Sequence, residues 1–174
     1  MLILIGASAS GKTEIAKLLI KNHGFKKLVT STTRKQRDGE VTGVDYNFLT
    51  VDEFWLKKQN NEFFETVIYD NNFYGTPKKN DKNNVLIVDS MGANNIYKNS
   101  LGHTFIVLTT DESIRKKRML DRGDSLSDCV QRLKHDKEHF KLKKITHYDH
   151  LVDTTNKTLD ELTLMINKLY NKTA

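Results

Sequence analysis

The sequence predicts an α/β fold, a parallel sheet wrapped by helices in three layers, with a smaller strand-rich lobe inserted into it. Three observations carry this. Short apolar runs alternate with helix-periodic segments along most of the 174 residues. The first run, Met1–Ile5, leads straight into a small-residue loop and then a helix. Between residues 33 and 76 the alternation gives way to short strands and turns, which marks an insertion.

The elements follow in order. Met1–Ile5 reads as a short buried strand and Gly6–Gly11 as a loop. From Lys12 a helix places Ile15, Leu18 and Leu19 on one face and ends near Asn22–Gly24. Leu28–Thr30 reads as a second strand, Arg34–Gly43 as a loop, and Tyr46–Leu49 as a strand. Thr50–Asp52 opens a helix carrying Phe54, Trp55 and Lys58; Glu62–Ile68 is a strand, with a turn at Asn71-Asn72. Val85–Val88 is a core strand, followed by a helix around Ala93–Lys98, a strand at Thr104–Leu108 and a helix over Asp111–Leu120. Ser125 and Asp128 stand at capping-box spacing before a helix reaching Phe140. A strand at Leu151–Val152 and a helix over Leu159–Tyr170 close the chain.

Composition bounds the function. The length suits one domain, and a chain of this size needs no metal or disulfide to fold. Hydrophobic residues at 37% and charged residues at 29% exclude a wholly disordered chain. The longest apolar run is far short of the ~20 residues that cross a bilayer. The single cysteine, Cys129, permits no internal disulfide and suggests a reducing cytoplasm. The net charge of +6 admits nucleic acid, anionic membrane or small phosphorylated ligands. The lysines are scattered without interleaved aromatics, which argues against nucleic acid, and no membrane partner is expected. The arginines cluster instead: Arg34 and Arg37, then Arg115, Arg118, Arg122 and Arg132. Guanidinium forks grip phosphate oxygens, so clustered arginine points to phosphorylated small molecules.

The strongest motif is Gly6-Ala7-Ser8-Ala9-Ser10-Gly11-Lys12-Thr13, which fits G-x-x-x-x-G-K-[ST], the P-loop. Small residues let successive N–H groups point inward at phosphate oxygens, and the following helix adds its positive end. In this pattern Lys12 reaches the β- and γ-phosphates and the Thr13 hydroxyl ligands Mg²⁺, so a nucleoside triphosphate, ATP, is the expected ligand. Arg34 and Arg37, three apart beside the hydroxyls of Thr30–Thr33, form a candidate site for a second phosphate. A third pattern, His135-x-x-Glu138-His139, matches a zinc-peptidase spacing but is crowded by lysines and reads as a solvated face. Cys129, without a partner, reads as a packing residue, and Arg115 as a residue that pairs with a surface acid.

The run STTRKQRDGEVTGVDYNF, Ser31–Phe48, resembles the GMP-binding signature of guanylate kinases. Asn61–Glu65 with Asn72-Phe73-Tyr74-Gly75-Thr76 resembles the family's second guanine-site segment. Val88-Asp89 with Gly92-Ala93 resembles its next core strand and turn, and Lys116-Lys117-Arg118, Arg122-Gly123 and Arg132 its lid. The resemblance spans nearly the whole chain. It implies a single guanylate-kinase-like domain, residues 1–174: a P-loop three-layer parallel sheet core (1–32, 77–114, 142–174), an inserted mixed-β GMP-binding lobe (33–76) and a helical lid (115–141). It implies Mg-dependent phosphoryl transfer from ATP to GMP or dGMP, by a monomer or homodimer. Gly6–Thr13 and Asp153 would bind ATP, with Asp153 standing where the family has an adenine-contacting Asn. Arg34, Arg37, Tyr46 and Tyr74 would hold the GMP phosphate. Glu65 would read guanine, aided by the Thr30 and Thr76 hydroxyls. Asp89 would serve the guanine amine or, through water, the metal. Lys12, Arg118, Arg122 and Arg132 would carry catalysis. Two alternatives fit less well. A catalytically inactive guanylate-kinase-like interaction module would lack Lys12 or the lid arginines, and a P-loop kinase of a phosphorylated sugar would lack Glu65, Tyr46 and Tyr74.

Overall fold

The structure, a computed structural model, describes residues 1–173 except 38, 70, 79 and 101, and the side chains of Tyr69 and His139 are likewise outside the description. Its core is a five-stranded sheet built from β1 (Leu2–Gly6), β2 (Lys26–Lys27), β7 (Asn84–Val88), β8 (Thr104–Thr109) and β9 (His150–Asp153). The order is β2-β7-β1-β8-β9, and every pairing is parallel. The apolar runs seen in the sequence are continuous because both sheet faces are covered. On one face Leu2, Leu4, Ile106 and Leu108 meet Ile15 and Leu19 of α1 (Lys12–His23) and Leu162 and Ile166 of α6 (Leu159–Thr173). On the other, Ile3, Ile5, Leu86 and Val107 meet Ala93 and Ile96 of α3 (Ser90–Asn99).

The inserted lobe is a second sheet of β3 (Ser31–Thr32), β4 (Asn47–Phe48), β5 (Phe63–Tyr69) and β6 (Asn72–Pro77), in the order β4-β3-β6-β5. It is mixed: β3 runs parallel to β4 but antiparallel to β6, which is antiparallel to β5. α2 (Val51–Gln59) covers it, with Phe54 fully buried and stacked on Phe63 and Phe73 at 4.9 and 5.5 Å between ring centroids. Two helices, α4 (Glu112–Asp121) and α5 (Leu126–His139), pack through Met119, Cys129 and Leu133. Cys129 is fully buried there, as a packing residue.

One expectation is revised. Leu28–Thr30 is not a strand. Lys26–Lys27 pairs with β7 in the core sheet and Ser31–Thr32 with β6 in the lobe, so the chain changes sheets across residues 28–30. Both sheets compete for the same short segment, and each takes one end of it. Arg118 lies on α4, whereas Arg122 lies just beyond it, because α4 stops at Asp121 and Arg122 is its C-cap.

The cap expected at Ser125 forms, its hydroxyl accepting from Asp128 N at 3.1 Å, and the structure adds a full capping box at Thr50. Thr50 Oγ1 accepts from Glu53 N at 3.2 Å, while a Glu53 carboxylate oxygen accepts from Thr50 N at 2.7 Å. Replacing Thr50 by Ala removes one arm of this box and should cost about 1 kcal/mol in urea unfolding, with the slope of the transition unchanged.

Candidate functional site

The glycine loop leaves the carboxyl end of the central strand β1. Gly6 must be glycine: a Cβ there would lie 2.6 Å from Ser10 Oγ and 2.9 Å from the Leu108 carbonyl. Ala9 and Gly11 take left-handed φ of 58° and 97°, which curls the loop back on itself. No side chain caps α1 at Gly11, unlike Thr50 at α2, Asp89 at α3 and Ser125 at α5. The first amides of α1 are therefore left for an anion.

Lys12 Nζ donates to the Gly6 and Ala7 carbonyls at 2.6 and 2.7 Å. Burial lowers its pKa to about 8, with Arg115 adding to the fall and the Asp136 and Asp89 carboxylates opposing it. Arg118 spans the loop and the segment after β9: it donates to the Ala9 carbonyl at 3.3 Å and to the Thr154 carbonyl at 2.7 Å. A cavity of about 390 Å³ opens beside the loop, lined by Ser10–Glu14, Arg118, Arg122, Lys157 and Leu159 among others. Asp153 is not part of this lining. Its carboxylate accepts from the Thr155 amide and hydroxyl at 3.0 and 2.6 Å, which holds its pKa down.

A second cavity, about 370 Å³, lies between the two sheets. The lobe supplies Tyr46, Glu65, Tyr74 and Thr76, the core supplies Asp89 and Gly92, and Thr30 comes from the crossover between them. Glu65 accepts from Thr76 Oγ1 at 3.1 Å and Asn95 Nδ2 at 3.4 Å. Burial nevertheless raises its pKa. Gly92 makes room for it, since a Cβ at 92 would meet Glu65 Oε1 at 3.1 Å. Asp89 caps α3 by accepting from Gly92 N at 2.7 Å, and its charge acts on both Lys12 and Glu65, so it stands between the two cavities.

Arg34 is connected to this second cavity through Tyr46, which lines it. Its guanidinium covers the Tyr46 ring at 5.5 Å and pairs with Glu40 at 2.7 Å. Glu40 also accepts from the Arg37 amide at 2.8 Å, while the Arg37 side chain is exposed. Arg122 pairs with Asp124 at 2.5 Å, and Arg132 approaches the same carboxylate at 3.9 Å. Of the expected residues, Lys12, Thr13, Arg118 and Arg122 line the first cavity and Thr30, Tyr46, Glu65, Tyr74, Thr76 and Asp89 the second, while Arg34, Arg37, Arg132 and Asp153 line neither.

Sequence reasoning missed the acids that hold these cations, Glu40 and Asp124, and misplaced Arg115. That arginine does not pair at the surface. It is buried and pairs with buried Asp136 at 2.6 Å. Asp136 sits inside the run read as a solvated face, where the lysines on either side hid it. The side chain of His139 in that run lies outside the described residues.

Because Lys12 is largely deprotonated above its lowered pKa, binding a phosphate ligand there requires that it take up a proton from solvent. The Kd for MgATP should be flat below pH 8 and rise by up to about tenfold per unit above it, with proton uptake visible by calorimetry in two buffers.

The comparisons agree with this geometry. The family model described as guanylate kinase matches residues 1–170. A guanylate kinase of Mesomycoplasma hyopneumoniae (strain 7448) is 35% identical, the alignment covering 99% of this chain and 96% of that protein. One of Clostridium acetobutylicum is 32% identical over 97% and 83% of the two chains. The crystal structure of a guanylate kinase from Anaplasma phagocytophilum shares the fold at 24% identity with a TM-score of 0.67, over 99% and 84% of the chains. With the family model spanning nearly its full length, the chain belongs to the guanylate kinase family.

Proposed function

We propose that this chain transfers the γ-phosphoryl group of ATP to GMP or dGMP, giving ADP and GDP or dGDP, in a single guanylate-kinase domain with a lobe over 33–76 and a lid over 115–141. The observation that carries the reading is the half-buried Glu65, facing the cavity between the sheets with both carboxylate oxygens already acting as acceptors. Guanine presents N1–H and a 2-amino group side by side, two donors for two oxygens. Adenine offers an acceptor at N1 and nothing at C2, so it leaves the carboxylate unpaired and opposed.

The residues divide the work. The loop amides and Lys12 hold the ATP phosphates, Lys12 exchanging the Gly6 and Ala7 carbonyls for phosphate oxygens. Arg34, with Tyr46 and Tyr74, receives the GMP phosphate as Arg34 leaves Glu40, and Arg37 joins it from the loop. Thr30 and Thr76 orient the base. The GMP phosphate monoester is itself the nucleophile, so no general base is needed. Arg118, Arg122 and Arg132 meet the charge that builds on the transferred oxygens and exclude water. Asp153 is assigned to ATP by the resemblance alone, its carboxylate being held by Thr155 outside the donor-cavity lining.

Mg²⁺ fits the donor set. Thr13 at the head of α1 offers a hydroxyl, and Asp89 a carboxylate reached through water. Among the described residues no group of three or more His, Cys, Asp and Glu forms a cage. That sparse oxygen set suits an ion that keeps its waters and travels with phosphates, where it neutralises their charge. We place the reaction in a reducing cytosol, by a monomer or homodimer working without nucleic acid or membrane. The lone buried thiol fits a reducing compartment.

A coupled ADP assay across GMP, AMP, CMP and UMP tests the reading. GMP should turn over fast and the others poorly; equal turnover of AMP would sink the Glu65 assignment. Lys12→Ala should abolish measurable transfer. Glu65→Gln puts an amide donor against a guanine donor and should lower kcat/KM for GMP by about 10²-fold, leaving KM for ATP within about twofold.

Glu65 must be ionised to accept both guanine donors. Since burial lifts its pKa above the usual carboxylate range, KM for GMP should climb as pH falls through that raised value, before an exposed carboxylate would titrate. Glu65→Gln should lose this acid limb.

A further inference from the structure

We propose that Arg115 and Asp136 form a buried anchor that docks α5 onto the glycine loop and so positions Arg132 for phosphoryl transfer. The inference rests on the role given to Arg132 above. Three separate segments meet at the Asp136 carboxylate. From the glycine loop, the Ser8 amide donates at 3.0 Å and the Ser8 hydroxyl at 3.2 Å. From α4, Arg115 donates at 2.6 Å, and the same nitrogen reaches the Ser8 carbonyl at 3.3 Å. The carboxylate itself belongs to α5. Both charged side chains are almost fully enclosed, at 8% and 11% exposure.

An enclosed ion pair is a poor way to stabilise a fold, because a well-packed apolar pair serves as well or better. What an apolar pair does not supply is a directional bond to the loop. Asp136 accepts two donors from one residue, Ser8, and this fixes α5 in position and in rotation about its axis. Arg132 lies four residues earlier on the same helix, hence on the same face and about 6 Å along the axis. With Ser8 and His135 it lines a cavity of about 380 Å³ over the loop. Its side chain is half exposed and reaches only weakly toward Asp124, at 3.9 Å. Asp136 is therefore the fixed point of the helix and Arg132 the arm it aims.

Arg115 has its own task. A bare carboxylate on a loop amide would repel the incoming triphosphate, and Arg115 cancels that charge where it is formed. The two act on Lys12 with opposite sign, as this cancellation requires.

The test is a double-mutant cycle on the full chain, with thermal unfolding read beside kinetics. The charge-free swap R115M/D136L fills the same space without an unpaired ion. It should unfold within a few degrees of the parent, lower kcat by about tenfold and leave both KM values within about twofold. In an Arg132→Ala background the same swap should change kcat less than about twofold, because the arm it aims is gone. Asp136→Asn keeps the shape and one acceptor. It should give a smaller kcat loss with the same dependence on Arg132, and it decides the matter should the swap fail to fold. An unchanged kcat, or a loss of equal size with and without Arg132, overturns the anchor while leaving the proposed function standing. An Arg132→Ala enzyme with full kcat removes the role of Arg132 and the anchor with it.

Discussion

At the end of β1 the backbone of Gly6 runs so close to β8 that even a methyl group would press on the Leu108 carbonyl. That approach sets where the loop begins, and the left-handed turns at Ala9 and Gly11 set where it returns. Everything else in the donor site takes its position from the path between them. Lys12 folds back over the loop carbonyls, Arg118 and Thr154 bond to the outer side at Ala9 and Ser10, and Asp136 bonds to it at Ser8. The loop is thus a frame as well as a ligand cradle, and it is rigid because its strand is buried on both faces of the sheet.

A molecule that binds two polyanions must keep many cations close together without them. In this chain each of several cations has an internal partner: carbonyls for Lys12, Glu40 for Arg34, Asp124 for Arg122, and the Thr154 and Ala9 carbonyls for Arg118. The partners differ in depth. Asp124 and Glu40 are half-buried acids still open to water, whose pairs are weaker than an enclosed one and readily exchanged for phosphate. The Arg115–Asp136 pair is enclosed, and its exchange would strand a charge in the interior. Burial therefore separates the cations that are free to meet a substrate from the one that holds the scaffold.

How much of this was legible in the sequence follows from how local each requirement is. The glycine loop needs small residues and left-handed backbone at fixed spacing, so eight consecutive letters revealed it. The cap at Ser125 spans three residues and was equally plain, although Asp128 does not return the bond that would complete a box. Glu65, Tyr46 and Tyr74 were found through the resemblance; no local pattern distinguishes a half-buried strand carboxylate from a solvated one. The split of Leu28–Thr30 was hidden because strand preference says nothing about which sheet will claim each end. Arg115 and Asp136 were invisible for a further reason. They stand 21 residues apart on two helices that read as lysine-rich surfaces, and their pairing exists only once those helices cross at the loop.

The short crossover between the sheets has a last consequence. The acceptor cavity has no wall of its own. One side hangs from the lobe sheet at Glu65, Tyr74 and Thr76, and the opposite side belongs to the core at Asp89 and Gly92. Thr30, at the crossing, is common to both. The dimensions of this compartment are therefore a function of one angle, the tilt between two sheets, much as the gap of a pair of tongs is set at the pivot. A substitution at residues 28–30 would alter the grip on the acceptor without touching any group that contacts its phosphate.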